Sequence, residues 1–401
     1  MKAIKALARL AHRYLSWATG IVVAILCATG AILLVQPEVE RLAEPERFIA
    51  PEHAGKTQLS LDDFLTTFEA NERATFEEPT NVLVTRLNIP KSPDKTWYAL
   101  VSARDAHNKW TYMAYVDPYT GAAVAYGGSK TLDFFRTVRR LHTSLCLNPR
   151  IGRPIVQYST LIFVFILLTG LIRWLPARFS NKKAWKSALV PTFTKGSFRA
   201  IYDLHNVFGF YATLVLLILA LSGCWISFSW FKAGFDKLIG YDRESRYQAD
   251  FQVDEVLETQ LPYQEILEQH RARSGSKSYD VFFPGAKSRT PLCIRQSDGF
   301  YYPDAYYWNQ YTGELVGIDQ YSSLPVAQRI RTAIMPLHRG VFWGATTRYV
   351  FLIFCVIGVI LAITGYLLTL KRWDMEEKAA QKRREREKQD EMTVDSQASE
   401  H

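Results

Sequence analysis

The sequence predicts an α-helical membrane protein: a four-helix transmembrane bundle carrying two α+β domains on one side, the whole built as an internal duplication. Three observations predict it. Four apolar runs have the length of a membrane span, basic residues gather beside alternate ends of those runs, and the same short motifs recur in both halves of the chain.

Hydrophobic residues make up 48% of the 401 positions, yet mean hydropathy is only −0.08, so the apolar content is concentrated rather than spread. The runs are Tyr14–Val35, Ile155–Trp174, Val207–Phe228 and Tyr349–Leu370. Each is about 20 residues long, enough for a helix rising about 1.5 Å per residue to cross about 30 Å of hydrocarbon. Lys2, Lys5, Arg9 and Arg13 give the first run the look of a secretory signal. It is longer than an h-region of about 7–15 residues, however, and no small-x-small cleavage site follows it. Spans are therefore expected at 14–36, 155–175, 207–228 and 349–370.

Charge sets the expected topology. The N-terminus (1–13), the loop 176–206 with Arg173 at its edge and Arg178, Lys182, Lys183, Lys186, Lys195 and Arg199 within it, and the tail 371–401 with its KRREREK run are all basic, hence cytoplasmic. Segments 37–154 and 229–348 then lie outside. The net charge of +9 is a topology signal and gives no reason to expect nucleic-acid binding.

The duplication is read from matched motifs. Aligning His12 with His205 sets Thr29-Gly30 on Ser222-Gly223 without a gap. VDPYTGAAV (116–124) matches WNQYTGELV (308–316), RRLHTSL (139–145) matches MPLHRGV (335–341), and LLTGL (167–171) matches AITGY (362–366). Each half is one span, one external domain and one returning span. Within the domains, 60–70 and 253–270 have helical spacing, and the shared Tyr-Thr-Gly reads as a turn between strands. Strands are expected in TNVLVTRLNI, TWYALVSA and WTYMAYVD, and in SYDVFFP, TPLCIRQS and DAYYWNQ. The tail from Glu376 is charged and reads as a frayed helix or a disordered segment. Cys27, Cys224 and Cys355 fall within spans, whereas Cys146 and Cys293 fall outside, where a disulfide is chemically open to them.

Four of the eight histidines stand at matched helix ends. His12 and His205 precede the outward spans; His142 and His338 precede the returning ones. Two imidazoles at one membrane face, walled by apolar helix, suit the axial coordination of a b-type haem, so two such haems are expected, one per face. Arg13 and Arg339 directly follow their histidines and could meet haem propionates, and Gly20, Gly209 and Gly223 would admit a flat macrocycle. Zinc would find only two histidines per face. His53, His107, His270 and His401 read as ordinary exposed residues. NPRIGRP (148–154) should break any helix joining His142 to the second span, leaving that histidine on a separate amphipathic segment.

The combination of AHRYLSWATGIVVAILCATGAILL, DPYTG, LH before each returning span and LTG or ITG within them resembles the PepSY-associated transmembrane family over residues 8–373. That resemblance implies two PepSY-like periplasmic domains in a bacterial inner membrane, haem ligation by His12, His142, His205 and His338, and, in some members, reduction of ferric siderophores. Where such members show an LHR-like pattern, this chain has AHR and LHN.

Two haems at opposite faces would form an electron wire from a cytoplasmic or quinol donor to a ferric chelate outside. The donor is not encoded here, since no GxGxxG opens a βαβ unit. The aromatic stretch 299–311 could line a chelate site or belong to a β core. The rival reading is a non-enzymatic membrane protein whose external domains bind a peptide or regulate a protease.

Overall fold

The computed structural model describes residues 2–51, 57–76, 80–175, 185, 189–191, 196–242, 250–285, 287–297 and 301–398. Most of the basic loop after the second span, with His53 and His401, lies outside the described residues. The chain divides into a helical unit (1–33, 139–229, 349–401) and a sheet unit (34–138, 230–348).

Four helices carry the apolar runs: α1 (Lys2–Leu34), α5 (Pro149–Trp174), α6 (Ser197–Ser227) and α10 (Ala345–Ala398). All four are long and apolar enough to cross a membrane. Val23, Cys27, Leu167, Ala212 and Leu216 form their buried centre, and Trp174 of α5 stacks on Phe210 of α6 with ring centroids 3.6 Å apart. The helices overrun the apolar runs where the histidines stand. Residues 2–13 are Ala, Leu, Lys and Arg-rich good helix formers with no Gly or Pro, so His12 is a residue of α1 rather than of a preceding loop. His205 likewise lies inside α6, which starts after Gly196. The charged tail continues α10 as helix to Ala398.

The approach to the second span is broken as the prolines suggest, but earlier than they stand. α4 (Lys130–Ser144) ends before α5. Leu145 and Cys146 turn the chain with φ of 53° and 56°, and Asn148 caps α5 by accepting from the Arg150 N–H at 3.0 Å. Pro149 then takes the first helical turn, where its missing N–H is harmless. Gly152 and Pro154 sit inside α5. A Cβ on Gly152 would stand 1.9 Å from the Ser144 carbonyl oxygen, so this corner closes only on glycine.

The sheet unit pairs β1 (Asn81–Ile89), β2 (Trp97–Arg104), β3 (Lys109–Val116) and β4 (Ala123–Tyr126) with β5 (Tyr279–Phe282), β6 (Leu292–Gln296), β7 (Ala305–Trp308) and β8 (Leu315–Asp319). The order is β4-β3-β2-β1-β5-β6-β7-β8. The two α+β repeats thus share one sheet, joined antiparallel from Arg86↔Phe282 to Ile89↔Tyr279. Asp280 seals the seam, bonded to Arg86 at 2.9 Å and to the Asn88 amide at 3.0 Å. The Tyr-Thr-Gly turns are equivalent in detail: Gly121 and Gly313 have φ of +67° and +75°, and Asp117 and Asn309 each accept from the backbone N–H two residues on.

One helix backs each half, α3 (Leu61–Ala74) and α8 (Tyr263–Ser274). The expected helix 253–270 is helical only from Tyr263, because Pro262 disfavours helical backbone at Leu261. The Asp62 carboxylate accepts from the N–H groups of Tyr263 and Gln264, both at 2.9 Å, and Gln264 Oε1 accepts from Leu61 N–H at 2.9 Å. Each helix therefore caps the other. Phe64, Phe68, Leu87, Trp97, Ile266, Tyr279 and Ile294 are among the shared core. Short helices α2 (Gln36–Ala43), α7 (Ser229–Leu238) and α9 (Val326–His338) complete the order.

One expectation changes here. His270 is not an exposed residue: it is wholly buried, ringed by Tyr279, Tyr306 and Trp308, because its place on α8 faces the sheet. In the aromatic stretch, read as either a chelate lining or a β core, Tyr306 and Trp308 are buried in the core of the sheet. Among the described residues no disulfide joins any cysteines, Cys146 and Cys293 included.

Candidate functional site

Within the helical unit a cavity of about 400 Å³ opens among α1, α5, α6 and α10, and His12 and His205 both line it. Their ring centroids are 6.3 Å apart and their planes cross at 83°. The pairing read from the duplication is thus made in space. Gly20 and Gly209 also line the cavity, with Val23, Phe163, Leu167 and Leu216 as apolar wall.

The hydrogen bonds fix which nitrogen of each ring is available. His12 Nδ1 lies 2.9 Å from the Ile166 carbonyl oxygen and 3.3 Å from Thr169 Oγ1. A carbonyl only accepts, so Nδ1 carries the proton and Nε2 the lone pair. His205 Nδ1 lies 2.9 Å from Thr364 Oγ1. That hydroxyl already donates to the Ile360 carbonyl at 2.8 Å, so it accepts from Nδ1–H and Nε2 is again unprotonated. Neutral imidazole with a free Nε2 is the ligating form of histidine.

Charge gathers around the same cavity. Arg9, Arg13, Arg173 and Arg372 all line it. Arg13 is paired with Glu376 at 2.9 Å, and Arg372 reaches the same carboxylate at 3.4 Å. Among the described residues no carboxylate pairs with Arg173, which lies within electrostatic reach of both His12 and His205. Arg173 was visible in the sequence only as one more basic residue at a helix end; its approach to the histidines needs the packing of α5 against α1 and α6.

His142 occupies a second position. Its Nδ1 lies 2.8 Å from Thr29 Oγ1, which donates to the Ile25 carbonyl at 2.6 Å and so accepts from Nδ1–H. Gly30 lies beside its Cε1. Thr29 is seventeen residues beyond His12 on α1, which sets the two sites about 26 Å apart along the helix. His338 and Arg339 belong to the sheet unit, His338 half-buried as the last residue of α9 and Arg339 exposed after it.

Among the described residues no group of three or more His, Cys, Asp or Glu side chains is gathered to hold a metal. A bare ion in the cavity would find two protein ligands, whereas a metal bringing four in-plane ligands of its own would need only those two.

Four apolar helices with paired histidines, joined to a duplicated α+β sheet, define a membrane protein of the PepSY-associated type. The chain belongs to the PepSY-associated TM region family, whose match covers residues 9–372. No curated protein matches the chain.

Proposed function

We propose that the protein is a haem-dependent oxidoreductase that carries electrons across a bacterial inner membrane to a ferric chelate. The observation that carries this reading is the His12/His205 pair. Two imidazoles bonded through nitrogen at about 2 Å to opposite sides of one metal hold their ring centres about 6 Å apart, and these rings stand at 6.3 Å with Nε2 free on both. The apolar walls, the glycines and Arg173, which pairs with no carboxylate among the described residues, fit a flat, apolar group bearing carboxylates.

When bound, haem would supply a one-electron Fe(III)/Fe(II) couple, and with His12 and His205 as its two protein ligands it would favour electron transfer over oxygen chemistry. The chain's own residues do the rest. His12 and His205 hold one haem, while Arg173, Arg9 and Arg13 answer its carboxylates. His142 marks the second site, to which the duplication assigns His338 as fellow ligand with Arg339 beside it. Two sites at opposite ends of α1 span the membrane between them.

Positive residues beside the ends of the spans support a topology with both termini in the cytoplasm and the sheet unit in the periplasm. The donor is a quinol or a separate cytoplasmic reductase, because the chain itself has no dinucleotide-binding motif. One electron per iron reduces a siderophore-bound Fe(III) to Fe(II), which hard oxygen ligands hold more weakly. Ferric-siderophore reduction is followed by mixing detergent-solubilised protein, prereduced with dithionite and freed of it, with a hydroxamate ferric chelate and an Fe(II) indicator. Reoxidation of the protein with stoichiometric Fe(II) supports the proposal; a protein that stays reduced contradicts it.

A further inference from the structure

Three histidines of the helical unit meet the same two-residue element on a neighbouring helix. His12 meets Thr169-Gly170, His205 meets Thr364-Gly365 and His142 meets Thr29-Gly30. The details repeat. Each threonine hydroxyl donates to the carbonyl four residues back, on Phe165, Ile360 or Ile25, at 2.6–2.8 Å. Its oxygen is then left to accept from imidazole Nδ1–H, at 3.3, 2.9 and 2.8 Å.

Each glycine faces the same ring atom. A Cβ on Gly170, Gly365 or Gly30 would stand 3.1, 3.3 and 3.6 Å from Cε1 of His12, His205 and His142. Cε1 lies between the two ring nitrogens, so at Gly170 and Gly365 added bulk would press on the ring beside its Nδ1 bond, whereas at Gly30 a Cβ would make an ordinary contact. The threonine sets the tautomer at His205 and His142 and shares that role with the Ile166 carbonyl at His12, and the glycine that follows leaves the ring room.

We infer that these hydroxyl-glycine dyads are positioning elements: each holds its histidine as the Nδ1–H tautomer with Nε2 presented as the metal-binding atom. The inference rests on the haem reading above and deepens it. A donor bond from the far nitrogen orients a ligating imidazole and raises its basicity, and loss of such a partner costs roughly 10–100-fold in metal affinity. Ser/Thr back-bonding to the i−4 carbonyl occurs in helices without any such partner, where it slightly destabilises and often bends them; what sets these three apart is its coincidence with a histidine and a following glycine.

The test compares full-length protein in detergent as wild type, Thr364→Val, Thr364→Ser and Thr29→Val. The readouts are haem per chain by pyridine haemochrome, low-spin EPR g-values and reductive titration. Thr364→Val is expected to weaken retention of one haem roughly tenfold or more, with altered g-values and midpoint for that component alone. Thr364→Ser restores both, and Thr29→Val acts on the other component. Wild-type haem content, g-values and midpoints in Thr364→Val overturn the inference while leaving the haem reading standing. Equal damage from valine and serine, or loss of both components together, marks a packing role and also overturns it. A wild-type protein without haem overturns both readings.

Discussion

The imidazoles of His12 and His205, 193 residues apart in the chain, stand 6.3 Å from centre to centre with their planes crossed at 83°. Arg173 is within electrostatic reach of both and pairs with no carboxylate among the described residues. A fixed cation beside a redox centre favours the reduced form, which carries one positive charge less. Arg173→Gln is therefore expected to lower the midpoint potential of one haem and leave the other unmoved, read by potentiometric titration. Arg13→Gln, whose guanidinium is already engaged with Glu376, is expected to shift it less.

The corner between α4 and α5 sets the position of His142. A Cβ at residue 152 would meet the Ser144 carbonyl at 1.9 Å, so Gly152→Ala must force the two helices apart. The expected cost is about 1–3 kcal/mol, the range for overpacking a tight contact. Spectra should show the haem at the His142 site weakened and the His12/His205 component intact. An unchanged thermal midpoint with two intact components would mean that the corner relaxes freely.

His270 makes folding sensitive to acid. Burial pushes its pKa from 6.5 down to about 4, with the Arg271 cation acting in the same direction, and Tyr279, Tyr306 and Trp308 surround it. The folded state holds the ring neutral while the unfolded chain titrates near 6.5. Stability from this group is thus complete above pH 6.5 and is lost as pH falls toward 4, a change of order 3 kcal/mol from the size of the shift. His270→Phe should flatten that part of the stability profile in urea unfolding at pH 7.5 and 5. A wild-type slope in the variant would assign the acid sensitivity elsewhere.

The reciprocal caps of α3 and α8 hold the two repeats together from the helix side. Asp62→Ala removes the acceptor for the Tyr263 and Gln264 N–H groups, and Pro262 offers no side-chain cap in its place. A loss of about 1 kcal/mol is expected, measured as a lowered unfolding midpoint. Asp62→Asn, which keeps one accepting oxygen, should recover part of it.

The spans, the repeat and the four histidines were legible in the sequence because hydrophobic length and residue identity are local properties. The Thr-Gly and Ser-Gly pairs were legible too, but only as markers of the duplication. Their work depends on which helix lies beside which histidine, and that comes from packing of α1, α5, α6 and α10. The same reason hid Arg173. The joining of both α+β repeats into one sheet rests on the pairing of β1 with β5, strands separated by nearly two hundred residues, whose alternating patterns say which face is buried but not which edge finds a partner. His270 was misread because its exposed-looking setting, EQHRARS, hides that its face of the helix turns to the sheet.

The pairing of His12 and His205 across the cavity is the feature on which haem binding rests. Oxidised and dithionite-reduced absorption spectra of the detergent-purified protein, with pyridine haemochrome stoichiometry, test it on wild type and on His12→Ala, His205→Ala, His142→Ala and His338→Ala. The account predicts sharp low-spin b-type bands at two haems per chain, with the first two variants losing the same component and the last two the other. A colourless wild type purified from haem-replete cells, or variants that keep the full spectrum, would contradict it and leave a duplicated membrane protein that binds through its sheet.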